Sequence, residues 1–142
     1  MIYTTYFAQL KKLPDNIIPI SICGKVPGWY KGLQYKKLAP KYDFFMKWKE
    51  TGDNKYYIDC FREQVLNKLY VYQVLGDLIN KLPYIVNHST PHITSPSSKF
   101  HIALVCYETP EKFCHRHLVS EWLKQNGIPC YEWRKDNNYE GL

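Results

Sequence analysis

The last third of this chain constrains its fold more than any other part. Residues 100 to 106, PheHisIleAlaLeuValCys, are apolar at almost every position, the composition of a strand buried on both faces. Residues 114 to 126 then place Leu118, Val119, Trp122 and Leu123 at three- and four-residue steps, the period of an amphipathic helix. Gly127 follows where a helix ends in a left-handed residue. IleProCysTyrGluTrp, 128 to 133, reads as another strand. A strand, a helix and a strand in this order form a βαβ unit, whose two strands run parallel in one sheet.

The remainder is compatible with that unit. Residues 2 to 7 and 17 to 23 read as strands, with a short helical turn at 8 to 13 stopped by Pro14. Pro19 lacks a backbone N–H, which places the second strand near an edge. Residues 24 to 40 carry three glycines and two prolines and read as irregular. Helices are expected at 41 to 50, 54 to 67 and 70 to 81. Residues 83 to 99 read as a proline- and serine-rich loop or insertion, and 134 to 142 as a polar tail. The whole, 1 to 142, is the size of one domain. The expected architecture is a three-layer, Rossmann-like α/β fold with a mostly parallel sheet and helices on both faces.

Composition narrows the function classes. A formal charge of +6 favours anionic partners, small molecules first and nucleic acid second. No apolar run approaches the roughly 20 residues of a membrane-spanning helix, and the N-terminus lacks a secretory signal. A cytoplasmic protein without a membrane partner is expected. The five cysteines, at 23, 60, 106, 114 and 130, form no CxxC pair and no dense disulfide framework, so reduced thiols are expected.

The chemistry-bearing residues concentrate at 105 to 117, ValCysTyrGluThrProGluLysPheCysHisArgHis. In parallel sheets ligands settle at the carboxyl ends of strands, beside the following helix N-termini. Cys114 at a helix start, next to a guanidinium, is a candidate nucleophile or redox thiol. Glu108 and His115 are candidate proton carriers, and Cys106 and Tyr107 sit at the strand end. Arg116 could grip a phosphate or carboxylate through paired hydrogen bonds, or form a salt bridge with Glu108. A zinc or iron site on Cys106, Cys114, His115 and His117 is disfavoured. Seven residues separate the two cysteines, and HisXxxHis on a helix points its rings to different sides. No metal is therefore expected, and the sequence specifies no cofactor.

The run AlaLeuValCysTyrGluThrProGluLysPheCysHisArgHisLeuVal resembles the bacterial and phage domain of unknown function 488 family. In that family an apolar strand, a cysteine, an acidic residue, a proline-containing turn and a CysHisArg helix start recur in this order. The first two strands also look similar. The resemblance implies a Rossmann-like sheet and a shared site, without an activity. Where family members carry an AspValArg-like motif after the second strand, this chain has SerIleCysGlyLys, 21 to 25. That leaves Ser21, Cys23 and Lys25 as possible replacements.

Three readings compete. The first is a site at 105 to 117 for a nucleotide-like or phosphorylated ligand, with Arg116 and the helix N-terminus on the anion and Lys25 near the base. The second is nucleic-acid binding by the basic aromatic segment 25 to 42. The third is a thiol-dependent enzyme built on Cys114.

Overall fold

The computed structural model describes residues 1 to 83 and 100 to 135, with the backbone of 85 to 86 and 93 to 94. Five strands form one all-parallel sheet: β1 Ile2–Tyr6, β2 Ile17–Ser21, β3 Leu33–Gln34, β6 His101–Cys106 and β7 Cys130–Glu132, in the order β3-β2-β6-β1-β7. The helices are α1 Tyr42–Thr51, α2 Asn54–Gln64, α3 Val71–Ile79 and α4 His115–Gln125. Two short strands, β4 Ile85–Val86 and β5 Ile93–Thr94, pair antiparallel as a separate ladder within the expected 83 to 99 loop. The rest of that loop, and the tail beyond residue 135, lie outside the described residues.

Side-chain alternation divides the sheet into two faces. Ile2, Ile20, Ile102, Leu104 and Cys130 share one core with Phe44 of α1, Phe61 of α2, Val74 and Leu78 of α3, and Val119 and Leu123 of α4. Each fully buried side chain of this kind stabilises the fold by about 1.5–3 kcal/mol. On the other face Tyr3, Ile17 and Ala103 pack with Trp133, and Val105 packs with Phe7 and Tyr30. Phe7 comes from a 3-10 helix, Phe7–Lys12, so that turn and the 24 to 35 segment cover the face opposite the α-helices. This is the expected Rossmann-like, three-layer arrangement.

Local signals explain most boundaries. Gly52 adopts φ 67°, ending α1, and the Asp53 carboxylate accepts the Tyr56 N–H at 3.1 Å to open α2. Gly127, at φ 80°, ends α4. The expected helix 54 to 67 stops at Gln64, and a 3-10 turn at Leu66–Lys68 carries the chain round. Pro19 is in register with Ala103 of β6 but has no partner on the other side, since β3 pairs only with Ile20 and Ser21.

The stretch 24 to 40 is more ordered than its glycines and prolines imply. It contains β3 and a 3-10 turn at Lys36–Leu38. Tyr30 is buried and donates to the Leu33 carbonyl at 2.6 Å, and Tyr35 donates to Asp77 at 2.6 Å. A Cβ on Gly32 would lie 2.7 Å from the Tyr30 hydroxyl oxygen, so the close approach requires glycine there.

Connectivity places the site. The chain leaving β2 turns to β3 on one side, whereas the chain leaving β6 crosses β1 to reach β7 on the other. The two outgoing paths part between the carboxyl ends of β2 and β6, where parallel sheets form ligand crevices.

Candidate functional site

Cys106 is the last residue of β6 and lies in register with Tyr6 of β1. Its two-residue spacing from Leu104 turns it to the α4 face. Cys114 is the N-cap residue of α4, extended at φ −156° and ψ 142°, with no side-chain capping bond. The two sulfurs are joined as a disulfide, with Cα atoms 7.3 Å apart. The reduced thiols expected from the sequence are thus replaced, at this pair, by a bond. Cys106 is 1% exposed and Cys114 8%.

His115 begins α4 and is buried against Phe61, its ring Nε2 2.7 Å from the Ile22 carbonyl. A carbonyl can only accept, so Nε2 carries the proton and Nδ1 keeps its lone pair. Burial pushes the His115 pKa down to about 4 against the opposing pull of the Ile22 carbonyl, and neighbouring Arg116 lowers it further. A ring nitrogen of His115 and both sulfurs lie within 4.8 Å of one another.

Arg116 differs from the expected anion grip. Its side chain is wholly buried beneath the sheet. Nε and Nη2 donate to the two carboxylate oxygens of Glu132, at 3.1 and 3.0 Å. Nη1 donates to the Glu108 carbonyl at 2.6 Å and to Cys106 Sγ at 3.4 Å. The guanidinium carbon sits 5.6 Å from the centre of the Tyr6 ring, and Thr4 Oγ1 donates to Glu132 at 2.7 Å. The guanidinium thus ties the end of β6, β7 and α4 together. Its carboxylate partner is Glu132 of β7, not Glu108. The Glu108 side chain is half exposed and lies 3.9 Å from Lys112, so it does not reach the disulfide's buried surroundings through Arg116.

The other candidates are distributed around this centre. Ser21 is buried, and its hydroxyl accepts the Cys23 N–H at 3.2 Å, which shapes the end of β2. Cys23 packs in the same apolar cluster as Cys106 and Cys114, with Sγ 3.7 Å from the Val105 carbonyl. Burial pushes its thiol up to about 11. Lys25 is exposed, and its carbonyl accepts the Tyr107 hydroxyl at 2.6 Å. Tyr107, half exposed, stacks obliquely on Phe7, which also contacts exposed Trp29. His117 turns away from His115: its ring bonds the Lys112 backbone, and burial lowers its pKa.

Of the basic aromatic segment 25 to 42, Trp29 and Tyr42 are exposed, whereas Tyr30 and Tyr35 are buried, and Lys37 is 3.4 Å from Asp77. The segment thus keeps fewer stacking rings on its surface than its sequence offers. A separate open cleft of about 460 Å³ lies at the carboxyl ends of β1 and β7, lined by Tyr6, Lys12, Glu111, Trp133, Arg134 and Lys135 among others.

Sequence reasoning missed Glu132, Thr4 and the Ile22 carbonyl. Glu132 lies within an otherwise apolar strand, IleProCysTyrGluTrp, and a lone acid in such a strand was the available signal for a buried cation beneath it. No helix among the described residues is long and apolar enough to cross a membrane. No family model matches the chain, and no curated protein or solved structure matches it.

Proposed function

We propose that this chain is a thiol–disulfide protein whose working couple is Cys106 and Cys114. The observation that carries the reading is the Cys106–Cys114 bond at the parting of β2 and β6, with an N–H of Arg116 aimed at Cys106 Sγ. The same cysteines carry the resemblance to the domain of unknown function 488 family, and on that motif we place the chain beside it.

The asymmetry of the pair assigns the roles. Cys114 is the more exposed residue of the two and stands at a helix N-terminus, so its sulfur is the one an incoming thiolate attacks. As the new S–S bond forms, the Cys106–Cys114 bond breaks and Cys106 departs as a thiolate. Arg116 Nη1 stabilises that charge without moving, because Glu132 and the Glu108 carbonyl already fix the guanidinium. A second thiolate of the same substrate then attacks the substrate sulfur of the mixed disulfide. Cys114 leaves as a thiolate, and the substrate departs oxidised by two electrons. His115, neutral at ordinary pH, leaves the couple without a second cation beside it.

The test is a trapping experiment on reduced Cys106→Ser, treated with an aromatic disulfide reagent and mapped by mass spectrometry. A stable adduct on Cys114, formed faster than on Cys23 or Cys130, is the expected result. Labelling of Cys114 no faster than those two buried thiols would sink the reading.

A second reading keeps the anionic ligand but moves it. Lys12 and Lys135 line the cleft beside the β6–α4 loop, where Glu111 is the one acid among the described lining residues, a balance that favours a phosphate or carboxylate. Thermal stabilisation by nucleotides or phosphorylated sugars, lost in Lys12→Glu with Lys135→Glu, would support it. A full screen without any shift would remove it.

A further inference from the structure

We infer that the reduced site binds one thiophilic metal ion of the zinc class, held by Cys106 Sγ, Cys114 Sγ and His115 Nδ1. The inference uses the same thiols as the exchange reading but does not require that exchange occur. All three residues are buried, and the two sulfurs and a ring nitrogen of His115 already lie within 4.8 Å of one another; with Nε2 on the Ile22 carbonyl, Nδ1 is the nitrogen with a lone pair for a metal. Zinc–sulfur bonds of about 2.3 Å and zinc–nitrogen bonds of about 2.0 Å bring such donors to roughly 3.5 Å apart. Modest side-chain rotation therefore suffices. The Cα separation of 7.3 Å leaves room for an ion between the two sulfurs once they are reduced.

The surroundings fit a metal as well as the donors do. Metal-bound histidines commonly give their other N–H to a backbone carbonyl, and His115 Nε2 is held in that way by Ile22. The N–H of Arg116 on Cys106 Sγ is an outer hydrogen bond to a ligating thiolate. Arg116 is itself neutralised by Glu132, so two thiolates and a divalent ion leave the pocket close to neutral. Two sulfurs and an imidazole, with no oxygen donor in the set, select zinc-like ions over calcium or magnesium. Cys23 is not in the set, because its thiol is turned to the Val105 carbonyl. Three protein donors leave one coordination position open, the pattern of catalytic rather than structural zinc sites.

The experiment titrates Co²⁺ into the full chain, reduced and freed of reductant under anaerobic conditions, with all five thiols counted in denaturant beforehand. The expected result is one Co²⁺ per chain, with thiolate-to-metal absorption that Zn²⁺ abolishes by displacement. Cys106→Ser, Cys114→Ser and His115→Gln should each weaken binding by more than the roughly 10–100-fold that loss of an outer partner costs. Cys60→Ser should leave it unchanged. Gln at 115 can still donate to Ile22, and circular dichroism of each variant separates a lost ligand from a lost fold. If His115→Gln is unfolded, the two serine variants decide alone. A fully reduced protein without the absorption, or folded variants that bind as tightly as the parent, would overturn the inference. Exchange without Co²⁺ binding overturns the metal and leaves the couple standing. Co²⁺ binding without exchange does the reverse.

Discussion

Replacing Glu132 by alanine tests the role assigned to Arg116. The guanidinium is fully buried, and two of its nitrogens donate to Glu132 at 3.0 and 3.1 Å. Removing the carboxylate leaves a full positive charge beneath the sheet with those donors unmet, and it strips the Thr4 hydroxyl of its acceptor. Breaking a buried ion pair on one side costs about 3–5 kcal/mol. The Glu132 side chain is 16% exposed, so some water can replace it, and the lower end, about 3 kcal/mol, is expected. In a domain of this length each kcal/mol moves the midpoint by about 3 °C, giving a fall of about 10 °C. Guanidinium unfolding at pH 7 gives the free energy directly, provided that the slope with denaturant is unchanged. Glu132→Gln, which keeps one acceptor, should lose about half as much. A loss below about 1 kcal/mol for the alanine variant would refute the reasoning. Arg116 would then be free to serve an anionic ligand.

Three further outcomes follow from the same geometry. Cys23, pushed up to about 11 by burial, should be alkylated at pH 8 about a hundredfold or more slowly than an ordinary thiol, and denaturant should remove the difference. His115 is held near 4 in the fold against 6.5 when unfolded, so the unfolded chain gains its proton first as pH falls. Stability should be full above about pH 6.5 and lost as pH falls towards 4, by about 3 kcal/mol; His101 and His117 are lowered too and act in the same direction. Denaturant midpoints across that range check it, and His115→Gln should flatten the curve. Gly32→Ala should destabilise by about 1–3 kcal/mol, because the new methyl displaces the buried Tyr30 hydroxyl; an unchanged melting temperature would show that the ring gives way freely.

The fold was legible where local pattern and burial agree. The β6–α4–β7 unit follows from an apolar run, a helical stripe and Gly127, and both ends of α4 fall within one residue of expectation. The segment 24 to 40 was illegible because its order rests partly on the Tyr35 hydroxyl reaching Asp77 of α3, which no local spacing records. Likewise, the sequence brings Cys106, Cys114 and His115 near one crevice, since the strand end and helix start are adjacent in any βαβ unit. It did not show that the two sulfurs are bonded, because the course of the loop between them decides that. The pairing of Arg116 with Glu132 was hidden for a related reason. A basic residue at a helix start favours an anion only if it faces the crevice, and the acid that turns it inward comes from a strand placed by the crossover.

The most direct test of the central claim is the state of Cys106 and Cys114 across a series of thiol–disulfide redox buffers, quenched by alkylation in denaturant and digested with trypsin. Cleavage after Lys99, Lys112 and Arg116 puts Cys106 in peptide 100 to 112 and Cys114 in peptide 113 to 116. The account predicts that these two peptides pass together, in one two-electron transition, from a linked pair to two alkylated species. Cys23, Cys60 and Cys130 should stay alkylated throughout. If the two peptides never link under oxidising buffer, or if each pairs indifferently with other cysteines, the couple does not exist and the thiol reading fails.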